Sequence, residues 1–203
     1  MKPIKSFVVL AIVLGCGVAS AQGYYGPPRG HYGFHHRENR LAWGFSVGVG
    51  GMNDHGSGLT NCANCDVNPA ALEVDAHVGG MLGPRFALLF EVQGNFQTVS
   101  SSIRNGDTFL DQSLAMVAGQ YWITPQLWVK GGAGVAHLSF DNAYADQPLD
   151  IANGVALMAA VGFEIFSARF FAVDLQARVV NGSYSGIDDR ITAANIGLGF
   201  NWY

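Results

Sequence analysis

The chain has 203 residues, of which 49% are hydrophobic, only 13% are charged and 27 are glycine, and its formal net charge is −4. Soluble domains carry about 25% charged residues and about 7% glycine, so this chain is poor in charge and rich in glycine. The acidic balance excludes an electrostatic nucleic-acid binder and the apolar content excludes a disordered chain, while past the N-terminus no apolar run reaches the ~18 residues of a spanning helix.

The first element is residues 1–21. Lys2 and Lys5 precede an apolar stretch from Phe7 to Leu14, and small residues end at Ala19-Ser20-Ala21. This is the three-part pattern of a secretory signal peptide, with cleavage expected before Gln22. Val13-Leu14-Gly15-Cys16 offers the competing reading of a lipidated Cys16, but the Ala-x-Ala site favours ordinary export. Residues 22–40, QGYYGPPRGHYGFHHRENR, have no period and cannot build a core. They read as a periplasmic linker, in which His31, His35 and His36 belong to a solvated arm rather than a metal site.

From Leu41 the apolar signal alternates with period 2, the strand period, eight times over. The apolar sets are Leu41, Trp43, Phe45, Val47 and Val49; Leu72, Val74, Ala76 and Val78; and Phe86, Leu88, Phe90, Val92 and Phe96. The fourth is Leu110, Leu114, Met116, Ala118 and Trp122, set against Asp111, Ser113, Ala115, Val117 and Gly119. Next come Leu127, Val129, Ala133 and Val135, then Val155, Leu157, Ala159, Val161, Phe163 and Ile165. The last two are Phe171, Val173, Leu175, Ala177 and Val179, and Ile196, Leu198, Phe200 and Trp202.

Each strand is about ten residues or more, enough to cross a bilayer at a tilt. Short connections near residues 82–84, 124–125 and 166–168 alternate with long ones over 51–70, 100–107, 139–150 and 181–190. An even strand count with short turns at one end and long loops at the other predicts an all-β, eight-stranded antiparallel transmembrane up-and-down barrel over residues 41–203. A soluble barrel would need a charged exterior, yet beyond residue 21 the chain holds one lysine, Lys130. Tyr121, Trp122, Trp128, Trp202 and Tyr203 cluster at strand ends, where an interfacial aromatic girdle is expected. The stretch 41–203 resembles the small eight-stranded outer-membrane barrels of the OmpA-like and OmpX-like type. Phe200, Trp202 and Tyr203 resemble that family's C-terminal strand signal, which implies reading by the barrel-assembly machinery; Tyr replaces the usual terminal Phe. The resemblance implies a Gram-negative outer membrane, with its lipid and lipopolysaccharide as surroundings.

The charges then partition. The long loops carry eight acids (Asp54, Asp66, Asp107, Asp141, Asp146, Asp150, Asp188, Asp189) against Arg104 and Arg190. The periplasmic arm and turns carry Arg29, Arg37, Arg40, Arg85 and Arg169 against Glu38. The lumen set is Glu73, Asp75, Glu91, Asp111, Glu164 and Asp174 against Lys130 and Arg178. Ionisable groups at membrane depth must face inward and pair, so Lys130 and Arg178 are expected to centre an ion-pair network with Glu73, Asp75, Glu91, Glu164 and Asp174, with His77 as a further cation. Such a lumen is read as a filled core, with a narrow cation-preferring pore as the alternative. Cys62 and Cys65, in an exported chain, are expected to staple the 51–70 loop with a local disulfide. That loop is the expected site of contact with an extracellular partner. No cofactor and no metal site is expected.

One enzymatic alternative remains. His137-Leu138-Ser139 resembles the His-x-Ser pair of the lipid A 3-O-deacylase barrels, in which Asn follows Ser and a Glu lies about a dozen residues on. Here Phe140 follows, and the next acids after Asp141 are Asp146 and Asp150. These departures make a non-enzymatic structural or surface-interaction protein the expected reading.

Overall fold

A computed structural model describes residues 40–54, 65–101, 106–142, 149–168, 170–185 and 190–203. The chain divides into units 1–31 and 32–203, and every described residue belongs to the second. The expected leader, the linker as far as Asn39, and Cys62 lie outside the described residues, as do the tips of the long loops.

Eight strands follow one another: β1 (Leu41–Asp54), β2 (Cys65–Gly83), β3 (Phe86–Ser101), β4 (Gly106–Trp122), β5 (Leu127–Asn142), β6 (Leu149–Ser167), β7 (Phe171–Tyr184) and β8 (Arg190–Trp202). Each pairs antiparallel with the next, and β8 pairs with β1, closing the barrel. A hydrogen-bonded row can be followed from Phe45 through Ala76, Val92, Ala115, Val135, Val155 and Ser183 to Arg190. Arg190 lies one residue beyond Ile191, the partner of Asp54, so the row returns to β1 ten residues above its start. A stagger of ten over eight strands tilts them about 40° from the barrel axis. Because the stagger is even, inward and outward faces match all the way round.

The connections between strands at the chain-terminal end are 84–85, 123–126 and 168–170; at the other end they are 55–64, 102–105, 143–148 and 185–189. The second set of connections is shorter than the sequence suggests because the strands run on beyond the apolar band. Cys65, for example, already pairs with Ser101.

Seven of the eight strands present the expected apolar set outward. Val49, Leu157, Val155 and Ile196 are each more than 60% exposed. A surface this apolar requires hydrocarbon rather than water around it. The exception is β4. There Leu110, Leu114, Met116, Ala118 and Trp122 are buried inside, and Val117 and Tyr121 point out. Asp111 therefore faces outward, accepting hydrogen bonds from Ser113 Oγ, and does not belong to the lumen. The reason is register: Gln112 and Gln120 share a face with Leu110, and that face must be inside because hydrocarbon offers an amide no partner. Glu91 pairs with Met116 and Gln93 with Leu114, so β3 and β4 together place polar beside apolar in the lumen.

The outward apolar band has a consistent height. Ten positions separate Phe163 from Asn153, Phe171 from Asn181, Trp202 from Thr192 and Leu127 from His137, an apolar residue giving way to a polar one each time. At this tilt each residue climbs roughly 2.5 Å, so ten cover about 25 Å, the height of the apolar band on outer-membrane barrels.

The closing seam is zipped by aromatic rings. Trp43 and Trp202 are cross-strand partners stacked at 4.3 Å, Phe45 and Phe200 stack at 5.0 Å, and Phe171 lies 4.8 Å from Trp202. Such pairs each add about 0.5–1.5 kcal/mol beyond the area they bury. Phe200 and Trp202 of the C-terminal strand thus lie on the outer face of the seam. Of the expected girdle, Tyr121 and Trp202 are outward, but Trp122 and Trp128 are buried in the lumen and Tyr203 is half-buried.

Candidate functional site

The lumen holds the concentrated chemistry, arranged in layers from the chain-terminal end outward. At that end Glu164 on β6 and Asp174 on β7 are direct cross-strand partners. Two like charges opposite each other are unfavourable, and each is held by an indole. Trp122 Nε1 donates to Glu164 at 2.9 Å, and Trp128 Nε1 donates to Asp174 at 3.1 Å. Tyr203 hydroxyl reaches Glu164 at 3.4 Å and its ring sits edge-on to Trp122 at 5.6 Å. Glycines make the room: a Cβ at Gly162 would overlap the Trp128 ring, and one at Gly199 would overlap the Asp174 carboxylate.

Above this layer lies the ion network. Arg178, 2% exposed, places Nη1 3.0 Å from Glu73 and 2.8 Å from Glu91, while Nη2 meets Asp75. Lys130 Nζ donates to the other oxygen of Glu91 at 3.0 Å and lies over the Trp128 ring. One guanidinium therefore bridges three carboxylates through its planar fork, which a lysine cannot do. Ser46 Oγ donates to Asp75 and reaches Glu73 at 3.5 Å. His77 joins the two layers: Nδ1 lies 3.3 Å from Asp75 and Nε2 3.0 Å from Asn201, whose amide donates to Asp174 at 2.7 Å.

A neutral amide layer follows. Gln93 and Asn195 both donate to Asn95 Oδ1, Asn95 donates to Gln112, and Gln112 donates to the Tyr184 hydroxyl at 2.8 Å. Beside it, β4–β6 supply Leu114, Met116, Ala118, Ala156 and Met158. The end of the lumen beneath the connections 55–64, 102–105, 143–148 and 185–189 is apolar: Met52, Leu110, Leu138, Val180 and Ile191 are all buried.

Of the expected site residues, the structure brings Glu73, Asp75, Glu91, Lys130 and Arg178 into one cluster and links Asp174 to it through Asn201 and His77. Glu164 stands across the strand from Asp174 and accepts from Trp122 and Tyr203. The sequence reading missed the indole donors Trp122 and Trp128, the bridging Ser46 and Asn201, and the amide chain. The glutamines of β4 were the available signal for Trp122, and Lys130 on the same face of β5 was the signal for Trp128. Cys65 is a strand residue in backbone position, while a pairing with Cys62 falls outside the described residues. His137 Nδ1 lies 2.8 Å from the Asn153 side-chain oxygen. An amide thus occupies the place where a serine hydrolase has a carboxylate to orient its imidazole. Ser139 is 8% exposed beside a register shift between β5 and β6.

Comparison with solved structures decides the class of barrel. Ail, the attachment invasion locus protein of Yersinia pestis, solved alone and with the heparin analogue sucrose octasulfate, matches with a TM-score of 0.56 at 14% identity. The match covers 81% of this chain and 99% of Ail. Neisserial surface protein A matches with a TM-score of 0.51 at 7% identity, over 80% of this chain and 95% of that one. The fold is that of the small eight-stranded outer-membrane barrels. The sequence itself matches no family model and no curated protein.

Proposed function

We propose that this chain is an exported protein of a Gram-negative outer membrane, whose barrel is a rigid, non-conducting platform for surface loops and whose role is structural or interactive rather than catalytic. The observation that carries this reading is the lumen, filled from Trp122 and Trp128 at one end to Leu110, Leu138 and Ile191 at the other, each at most 1% exposed. A lumen so packed offers water no continuous path, and its buried ion network rigidifies the wall. With the short turns in the periplasm, residues 1–21 are the leader cleaved before Gln22, and Phe200, Trp202 and Tyr203 are the strand signal that the assembly machinery reads. The long connections and the strand ends beside them carry the eight acids named above, and Asp111 joins them on the outer side. The Cys62–Cys65 loop is the contact point for an extracellular partner, since a staple pre-organises a loop for binding.

Among the described residues, five lumenal carboxylates against Lys130 and Arg178 favour a second reading, a cation-preferring path. Planar-bilayer recording of the folded protein separates the two. The plugged reading expects no unitary current, and discrete cation-selective steps would replace it with the pore. The surface role is tested by deleting 55–64, which spares β1 and β2, and measuring binding to whole cells or matrix components. Binding unchanged by the deletion would move the interaction away from that loop.

A further inference from the structure

The outward face of β6, β7, β8 and β1 departs from a smooth apolar band. Ala159, Ala177 and Ala194 form the floor of a recess of about 550 Å³, walled by Val49, Val179 and Ile196. Within the ten-residue apolar stretch Ala177, Val179, Ala194 and Ile196 lie nearer the end at Asn181 and Thr192, while Ala159 sits just on the other side of the middle, so the recess runs from the centre of the hydrocarbon into its outer half. Directly above it the surface changes character. Asn181 Nδ2 donates to Thr192 Oγ1 at 2.8 Å, and one step further out Ser183 stands opposite the exposed Arg190. Asn153 is exposed on the neighbouring strand. At the periplasmic border the same strands carry Phe163, Phe166, Phe171 and Trp202, so aromatic rings mark one interface and amides, hydroxyls and a guanidinium mark the other.

We propose that this face is a binding site for one outer-leaflet lipid, a phosphorylated glycolipid of the lipid A type, with an acyl chain in the alanine-floored recess and its headgroup on the ledge above. The recess sits at the depth where an acyl chain is the only solvent, and removing side-chain bulk at three adjoining positions gives that chain a seat rather than a ridge. Arg190 supplies the planar fork that pairs with phosphate. Asn181, Ser183, Thr192 and Asn153 offer donors and acceptors spaced along a ledge, which suits sugar hydroxyls. A diacyl phospholipid would satisfy the guanidinium but leave that ledge to water. The site lies outside the lumen and does not depend on whether the lumen conducts.

The test uses the full-length folded protein in phosphatidylcholine vesicles containing either lipid A or phosphatidylglycerol at equal phosphate charge. The readout is the temperature at which the compact, heat-modifiable form is lost, followed against lipid fraction. Lipid A is expected to raise that temperature at a lower fraction than phosphatidylglycerol. Arg190→Gln should need about tenfold more lipid A for half the effect, the loss of one charge-assisted contact. Ala194→Phe, which fills the recess, should weaken it similarly, while Arg85→Gln on the opposite rim should leave it unchanged. Equal stabilisation by the two lipids, or a lipid A response that Arg190→Gln leaves intact, would overturn the proposal. Should Ala194→Phe fail to fold, the Arg190 variant decides alone.

Discussion

Replacing Arg178 with methionine should destabilise the barrel by about 4 kcal/mol, because a buried ion pair that loses one partner typically costs 3–5 kcal/mol. Arg178 is 2% exposed and touches Glu73, Asp75 and Glu91 together. The three carboxylates fare differently once it is gone. Glu91 keeps Lys130 at 3.0 Å, and Asp75 keeps Ser46 and His77. Glu73 is left with Ser46 at 3.5 Å and with Asp75 two residues along the same face. The cost therefore resides in Glu73 and in its repulsion from Asp75. Two further variants isolate it. Arg178→Lys should lose about 1–2 kcal/mol, since one ammonium cannot span three acceptors. Adding Glu73→Gln and Asp75→Asn to Arg178→Met should recover stability to within about 1 kcal/mol of the parent, as neutral replacement of a buried ion cluster is often harmless. The assay is urea unfolding in vesicles, read by tryptophan fluorescence and by gel migration with and without boiling. A loss below about 1 kcal/mol for Arg178→Met, or no recovery in the triple variant, would refute the claim that this network is a mutually dependent unit.

Three other outcomes follow from the same geometry. Val117→Arg should cost about 2–4 kcal/mol and Asp111→Arg no more than about 1, because both face outward on β4 but only Val117 lies at hydrocarbon depth; the reverse order in urea titrations would restore the opposite orientation of that strand. Gly162→Ala should cost about 1–3 kcal/mol by forcing the Trp128 ring off its seat, and pairing it with Trp128→Leu should remove most of that penalty in a double-mutant cycle. Trp128→Phe, which deletes the indole donor to Asp174 without emptying the layer, should cost about 1–3 kcal/mol, with a near-neutral result indicating that Asn201 alone satisfies that carboxylate.

The surface of this barrel was legible in its sequence to a degree its interior was not, and the cause is physical. Lipid imposes one rule on every outward position, so alternation alone identifies seven of the eight outward faces, and the spacing between successive apolar runs identifies the ends. The lumen imposes no such rule, because a narrow interior accepts Met116, Gln93 and Gly134 alike provided the volumes sum and the polar atoms pair. On β4 both faces mix small, polar and apolar residues, so hydrophobicity pointed the wrong way and only Gln112 and Gln120 carried the deciding information. Trp122 and Trp128 show the same limit from the other side. At a strand end an indole suits an interfacial girdle equally well; Trp122 shares the inward face of Gln112 and Gln120 and Trp128 that of Lys130, and the carboxylates that receive them, Glu164 and Asp174, stand opposite each other only once β6 and β7 are in register. The charged cluster was readable as a composition but not as a geometry. Membrane depth required Lys130 and Arg178 to pair, whereas the choice of Arg178 as the bridge among Glu73, Asp75 and Glu91 depends on the stagger of ten residues that brings β7, β2 and β3 to one level across the lumen.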